Sequence, residues 1–201
     1  MPSELGCWEA VWNGTPFTSA QLRLRPIAES DLPHLVELAG DNEVARWTAA
    51  IPHPFSEADG RLYLERAGAE NHIVLTLETG AAREFIGCLC IDITEGVGDI
   101  SYWIGRPYWG RGFGGEALKR ATRFAFEELN VDALDIEVMV GNVASERILE
   151  KAGYAKTGET VGATSRCDGV PVVQYRLDRV GWAAQQAAKP TLLVVAVAMV
   201  D

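Results

Sequence analysis

The sequence is short of the features that most quickly betray a specialised protein. It has four cysteines, Cys7, Cys88, Cys90 and Cys167. No pair shows the two-residue gap of a zinc knuckle or a thioredoxin-type motif, and no metal ion is expected. It has no basic excess: 28 acidic residues against 18 basic ones leave a formal charge of −10. That argues against nucleic acid or an anionic membrane as the main partner, since both are bound through concentrated Lys and Arg. Long hydrophobic runs are missing too. The strongest, residues 191–200, is about half of what a membrane-spanning helix needs. The first residues lack the basic start and apolar stretch of a signal peptide. Together with cysteine usage that suits a reducing interior, this points to a cytoplasmic location.

What is present is an ordinary globular composition, 48% apolar and 23% charged over 201 residues, enough for one sizeable core. Residues 1–20 read as an irregular arm, 21–182 as a single mixed α/β domain, and 183–201 as a tail serving as an extra strand or an oligomer contact, for instance in a homodimer. Polar–apolar alternation marks residues 21–27 as a strand. Ser30 is placed to cap a helix through Leu35 and Leu38, and Ser56-Glu57-Ala58-Asp59 resembles a capping box opening a second. Strands are predicted over 73–78, 84–93 and 100–104, with Glu95-Gly96-Val97-Gly98-Asp99 as the last turn between them. A helix follows from about 114 to 129, with Leu118, Ala121 and Ala125 on one face. A strand over 133–140, a helix over 143–152 and two strands around an Asp168-Gly169 turn complete the reading. Cys88 and Cys90, two apart on a strand, face the same way as small core residues.

The chemistry concentrates in Trp109-Gly110-Arg111-Gly112-Phe113-Gly114-Gly115-Glu116. Glycines between a strand and a helix let several backbone N–H groups converge on one anion, and the helix adds the positive end of its dipole. A mere tight turn explains this poorly, because each glycine loses much conformational entropy on folding. Gly110, Gly112 and Gly115 also satisfy the dinucleotide fingerprint, with Asp132 or Asp135 at ribose-binding distance, which would make a nicotinamide-dependent oxidoreductase. Against it, the motif sits mid-chain after hairpin-linked strands. Only one further strand–helix pair follows, and Pro107, Tyr108 and Trp109 are bulky where the fingerprint expects strand.

The stretch from Ser101 to Tyr154 resembles the GNAT superfamily of N-acetyltransferases, in the branch similar to the RimJ and RimL ribosomal-protein acetyltransferases. The matching pieces are Tyr102-Trp103-Ile104, the glycine segment through Ala117, Phe124-Ala125-Phe126, Asn142-Val143-Ala144-Ser145 and Glu150-Lys151-Ala152-Gly153-Tyr154. Weaker agreement extends the resemblance to about residues 21–182. Trp109 departs from the superfamily's usual Gln or Arg at that point, and the RimJ/RimL-like branch often carries an aromatic there. The resemblance implies a mixed, mostly antiparallel sheet of about six to seven strands flanked by about four helices.

It also implies a site. Acetyl-CoA, as cosubstrate, would lie along the strand 100–104, with its pyrophosphate on the backbone of Arg111, Gly112, Phe113, Gly114 and Gly115. An N–H from Trp103 or Ile104 would polarise the thioester carbonyl. The amine attacks directly, so no nucleophilic Cys or Ser is expected. Asn142 opens the next helix, where it reads equally as an N-cap; the resemblance adds that it faces the coenzyme arm. Ser145, otherwise a first-turn helix residue, would meet the thioester sulfur. Trp47, Phe55 and Tyr63 would line the acceptor pocket, although aromatics there are as often core.

Asp99 is the best-placed general base by position, yet Gly98-Asp99 is also ordinary turn chemistry. A base matters less for some acceptors: a protein α-amine of pKa ~7.8 needs about 1 kcal/mol to be neutral at pH 7, whereas a lysine at ~10.4 needs roughly 4.6. That favours a protein N-terminal α-amine or another amine of low pKa as acceptor. The alternative from a different class is a non-catalytic acetyl-CoA-binding or assembly module, which the glycine loop does not distinguish from an enzyme.

Overall fold

The computed structural model describes residues 17–18, 21–48, 51–67, 69–162 and 169–188. Eight strands form one sheet: β1 (Phe17–Thr18), β2 (Leu22–Pro26), β3 (His72–Thr79), β4 (Glu84–Thr94), β5 (Val97–Ile104), β6 (Ala133–Met139), β7 (Ala155–Val161) and β8 (Pro171–Asp178). Their order is β1-β2-β3-β4-β5-β6-β8-β7. All neighbours run antiparallel except β5 and β6. The helices are α1 (Leu32–Ala39), α2 (Asn42–Ala45), α3 (Glu57–Arg66), α4 (Phe113–Glu127), α5 (Val143–Lys151) and α6 (Arg179–Ala187). None is long and apolar enough among the described residues to cross a membrane.

The sheet follows from its connections. β3, β4 and β5 are hairpin neighbours. Glu95 and Gly96 both take positive φ, 50° and 79°, which makes a two-residue turn that lets Thr94 pair with Val97. The turn is therefore shorter than expected, and Val97, Gly98 and Asp99 belong to β5. Gly98 is there for close approach: a Cβ would lie 2.8 Å from Leu134 Cδ2. Parallel neighbours need a crossover, and α4 supplies it between β5 and β6.

Side chains alternate between two cores. On one face Ile100, Leu89 and Leu134 pack with Phe113, Ala117, Leu118, Ala121 and Phe124 of α4. On the other, Cys88 and Trp103 pack with Leu35, Ala39, Val44, Phe55 and Phe85. A polar lock joins the second layer to the sheet. Arg25 donates to both oxygens of Asp31, each at 2.7 Å, and to Glu78 at 2.7 Å. Asp31 also accepts from the Ala28 N–H and the Thr76 hydroxyl, both at 2.9 Å. Burial pushes the Asp31 carboxyl up, but the bonds from Arg25, Ala28 and Thr76 outweigh it and hold it below the ordinary carboxylate value.

Several expectations change. Ser30 does not cap α1; it falls within a 3₁₀ turn, Glu29–Asp31, and Pro33 stands in the helix's first turn. The Ser56 capping box is present, with the Asp59 N–H donating to Ser56 Oγ at 3.2 Å and the Ser56 N–H to Asp59 Oδ2 at 2.7 Å. The supposed arm ends in β1, whose Phe17 and Thr18 pair with Leu24 and Arg23. The expected tail boundary at 182 is crossed by α6, capped by Asp178 accepting the Gly181 N–H at 2.7 Å. Trp182 of α6 stacks on Phe126, ring centroids 5.0 Å apart. The apolar run 191–200 and most of the turn expected at Asp168-Gly169 lie outside the described residues.

Candidate active site

β5 is held along both edges only at its beginning. It pairs with β4 over its whole length, from Val97 with Thr94 to Ile104 with Gly87. With β6 it pairs only at Val97, Gly98 and Asp99, and beyond them the two strands part. Peptide groups alternate in direction along a strand. The Gly105 N–H donates to Ile86 O on the β4 side at 2.8 Å, so Trp103, in phase with it, also turns its N–H to β4. Tyr102 and Ile104 turn theirs into the split. The N–H expected of Trp103 or Ile104 thus falls to Ile104. Trp109 donates its indole Nε1 to Ile104 O at 2.6 Å, fixing the loop that follows against the strand.

That loop ends in Gly112, which adopts a left-handed φ of 83° with nothing within 4 Å of where a Cβ would stand. The first helical bond of α4 runs from the Glu116 N–H to Gly112 O, 3.2 Å. The N–H groups of Phe113, Gly114 and Gly115 come before it, and Gly112 has no side chain to cap them. Three donors at the positive end of a 15-residue helix suit a phosphate. The Glu116 carboxylate serves elsewhere, accepting the Gln21 and Leu22 N–H groups at 2.8 and 3.1 Å.

A cavity of about 800 Å³ occupies the split and is lined from both faces of the sheet. On the α4–α5 side it is lined by Gly112, Phe113, Gly114, Tyr102, Asn142 and Ser145; on the α1–α3 side by Trp47, Tyr63, Cys90, Asp92, Asp99 and Trp103. The Asn142 side-chain oxygen accepts the Ser145 N–H at 3.2 Å, which is the N-cap its position calls for.

The second side carries a row of ionisable residues set by strand register. His72 pairs with Asp92, Asp92 with Asp99, Asp99 with Asp135, and Asp135 with Arg176. Cross-strand partners share a face, so three carboxylates stand abreast between a histidine and an arginine. His72 Nδ1 meets Asp92 Oδ1, and Arg176 bonds Asp135 at 2.8 Å. Asp99, in the middle, has no ion pair among the described residues. Partial burial in the cleft wall, then the charges of Asp92, Glu137 and Asp135, push its carboxyl up to about 6. The residue still reaches water along the cleft, so the shift marks a titration near neutrality.

Cys88 and Cys90 are inert. Burial pushes the Cys90 thiol up to about 11, against the opposing effect of its 3.1 Å contact with the Tyr63 hydroxyl. Burial likewise raises Cys88 well above its ordinary value. Neither is a thiolate at neutral pH.

Of the residues singled out from sequence, the cavity gathers Trp47, Tyr63, Asp99, Trp103, Ile104, Gly112, Phe113, Gly114, Asn142 and Ser145. Three stand apart. Phe55 is a buried core residue of the α1–α3 layer. Arg111 is exposed, its guanidinium over the Phe113 ring at 4.8 Å. Gly115 contributes its N–H but does not line the cavity. Sequence reasoning missed Asp92, Glu137 and Tyr102. The signal for Asp92 was there: a two-residue turn at Glu95-Gly96 sets it opposite Asp99.

Residues 21–155 match the family model of the acetyltransferase (GNAT) domain. Among known proteins, the uncharacterised N-acetyltransferase p20 of Bacillus licheniformis is 27% identical over 144 residues, spanning 69% of this chain and 81% of its own. YdaF of Bacillus subtilis, provisionally named a ribosomal N-acetyltransferase, is 26% identical over 150 residues, 69% of this chain and 80% of its own. The spermidine N-acetyltransferase of Vibrio cholerae, solved in complex with CoA and spermine, shares the fold with a TM-score of 0.71 at 19% identity, over 82% of this chain and 99% of that one.

Proposed function

Since the chain belongs to the GNAT acetyltransferase family and is an acetyl-CoA-dependent N-acetyltransferase, we propose that it acetylates a cationic amine by direct transfer in a ternary complex. The observation that carries this reading is the division of one cavity between two faces of a split sheet. Anion-binding backbone lies on the α4–α5 side and the carboxylate row on the α1–α3 side. Two reactants that enter from opposite faces meet at β5, with no need for an acyl-enzyme.

The residues fit acetyl-CoA. The N–H groups of Phe113, Gly114 and Gly115 would hold its pyrophosphate, and the open edge of β5 at Tyr102 and Ile104 its amide-bearing arm. When bound, the coenzyme supplies the thioester acetyl group. The Ile104 N–H stabilises charge developing on the carbonyl oxygen. Asp99, with a carboxyl at about 6, is mostly ionised at neutral pH and still basic enough to accept the proton that the ammonium loses. Asp92 and Glu137 favour an acceptor carrying more than one positive charge, and the activity in the name of the Vibrio fold neighbour is of that kind.

The test is release of free CoA thiol with a panel of amines: a polyamine, a monoamine of equal length, and peptides with free or blocked N-termini. The multiply charged amines should show kcat/KM roughly fivefold or more above the monoamine, about 1 kcal/mol per added charge contact, falling with salt. Preference for a neutral or acidic acceptor would refute the cationic reading. Coenzyme binding without turnover of any amine would leave a binding module.

A further inference from the structure

Two buried polar atoms in the cavity walls have no hydrogen-bond partner: the Tyr102 hydroxyl and the Trp103 indole N–H. A buried hydroxyl left unpaired destabilises the fold, and phenylalanine would fill the same space without it. The hydroxyl therefore calls for an explanation.

Its surroundings supply one. Tyr102 is in the run of β5 that has lost β6, with its side chain packed on the α4–α5 face. Its ring lies against the start of α4; a Cβ at Gly114 would stand 3.4 Å from Tyr102 Cε2 and 3.2 Å from Ile148 Cδ1. Ser145 is the polar neighbour that favours a charged Tyr102 oxygen, without being in hydrogen-bond geometry. The bond from the Ser145 N–H to Asn142 fixes the serine backbone and leaves its hydroxyl free to turn.

The phenol of Tyr154, next to Tyr102, is committed. Thr122 donates its hydroxyl proton to Leu118 O at 2.8 Å, so the 2.8 Å contact between Thr122 Oγ1 and the Tyr154 hydroxyl is donated by Tyr154. Tyr154 thus has no proton left for the cavity.

Building on the acetyl-transfer reading above, we propose that Tyr102 is the positioning residue for Ser145, donating its hydroxyl to Ser145 Oγ so that the serine O–H points at the departing sulfur. In that step the C–N bond forms and the C–S bond breaks, with its electron pair passing to sulfur. Asp99 takes the first proton from the ammonium before attack, and the second, which the nitrogen sheds as the amide forms, leaves to water in the cleft. Ser145 and Tyr102 keep their protons and lend only hydrogen bonds, and the thiolate takes a proton from water after release. Burial raises Tyr102 above the ordinary phenol value, against the opposing effect of Ser145, so it stays a phenol through the neutral range.

The experiment is a double-mutant cycle on the full chain, following thiol release and melting temperature for the wild type, Tyr102→Phe, Ser145→Ala and the double variant. Tyr102→Phe should lower kcat about tenfold, the equivalent of ~1.4 kcal/mol. KM for acetyl-CoA should hold within about twofold, Tm should be unchanged or higher, and the rate ratio to wild type should stay flat from pH 6 to 9. The double variant should match Ser145→Ala alone, because Tyr102 acts only through the serine. A wild-type kcat in Tyr102→Phe, a loss confined to KM, or effects that simply multiply in the double variant would each overturn the proposal. A wild type that turns over no amine would instead defeat the acetyl-transfer reading, and this inference with it.

Discussion

Replacing Asp99 by Asn tests the acceptor side of the site most directly, because it should slow the enzyme and stabilise the fold at once. A carboxyl at about 6 must lose its proton to act as a base, so kcat/KM for wild type should rise with pH through a limb near 6. At pH 7 about ten molecules in eleven are then ready to act. Asp99→Asn removes the limb and should lower kcat/KM roughly 10²-fold at pH 7, about 2.7 kcal/mol, the low end for a general base. The neighbours give a second handle. Cross-strand carboxylates have Cβ atoms about 5 Å apart, and at that range in a wet cleft one charge is worth roughly 0.8 kcal/mol to another. Asp92→Asn should therefore move the limb down by roughly half a pH unit while leaving it in place. Stability runs the other way. Because the folded value of Asp99 lies above the ordinary carboxylate value of 3.8, the folded state binds the proton more tightly, and stability falls as pH rises from about 4 through 6. Asp99→Asn should accordingly raise Tm at pH 8 and change it little at pH 4. Initial rates by thiol release across pH, with melting curves in the same buffers, read both effects. An Asp99→Asn enzyme with the wild-type rate and acid limb would refute the assignment.

Further outcomes follow from the fold. Gly112→Ala meets no atom within 4 Å, so its cost is the left-handed backbone alone, about 1–2 kcal/mol. That is a Tm lower by roughly 3–6 °C, with the stabilisation by acetyl-CoA much reduced because the strained turn no longer holds the N–H groups of Phe113, Gly114 and Gly115 in place. An undiminished shift would place the pyrophosphate elsewhere. Asp31→Ala leaves Arg25 with Glu78 as its one carboxylate partner and should cost about 3 kcal/mol. The stability from Asp31 is present above its ordinary value and is lost as pH falls, so the variant should show a flatter acid limb of Tm below pH 4. A limb as steep as wild type would show that the acid transition belongs to other carboxylates.

The elements that could be read in advance are those whose partners are close in sequence. The capping box at Ser56 and Asp59 and the N-cap at Asn142 each close within one helical turn. The glycine loop works through consecutive peptide groups, and its left-handed Gly112 needs no distant contact. Asp99 was legible as a candidate but not as a strand residue. Gly96-Val97-Gly98 has turn composition, and only Leu134, 36 positions away in the chain, explains why Gly98 is a glycine. Phe55 and Tyr63 are both aromatics in the α1–α3 layer, and nothing in the chain before folding says that one is core and the other borders the cavity.

By itself the sequence determined which peptide groups would be left unpaired at the head of α4, because that depends on glycine, helix start and spacing within a few residues. It also determined that no thiol in the core would act as a nucleophile, since Cys88 and Cys90 alternate with apolar neighbours on one strand. Only the tertiary structure decided what those groups face. Asp135 joins Asp92 and Asp99 in one row only because β6 comes into register with β5, 36 positions earlier in the chain. The opening between β5 and β6 exists because their pairing stops after three residues, and the Tyr102 hydroxyl is buried without a partner where its ring lies beside the start of α4. Each of these is a relation between segments tens of residues apart, fixed by packing, and a linear pattern carries no term for it.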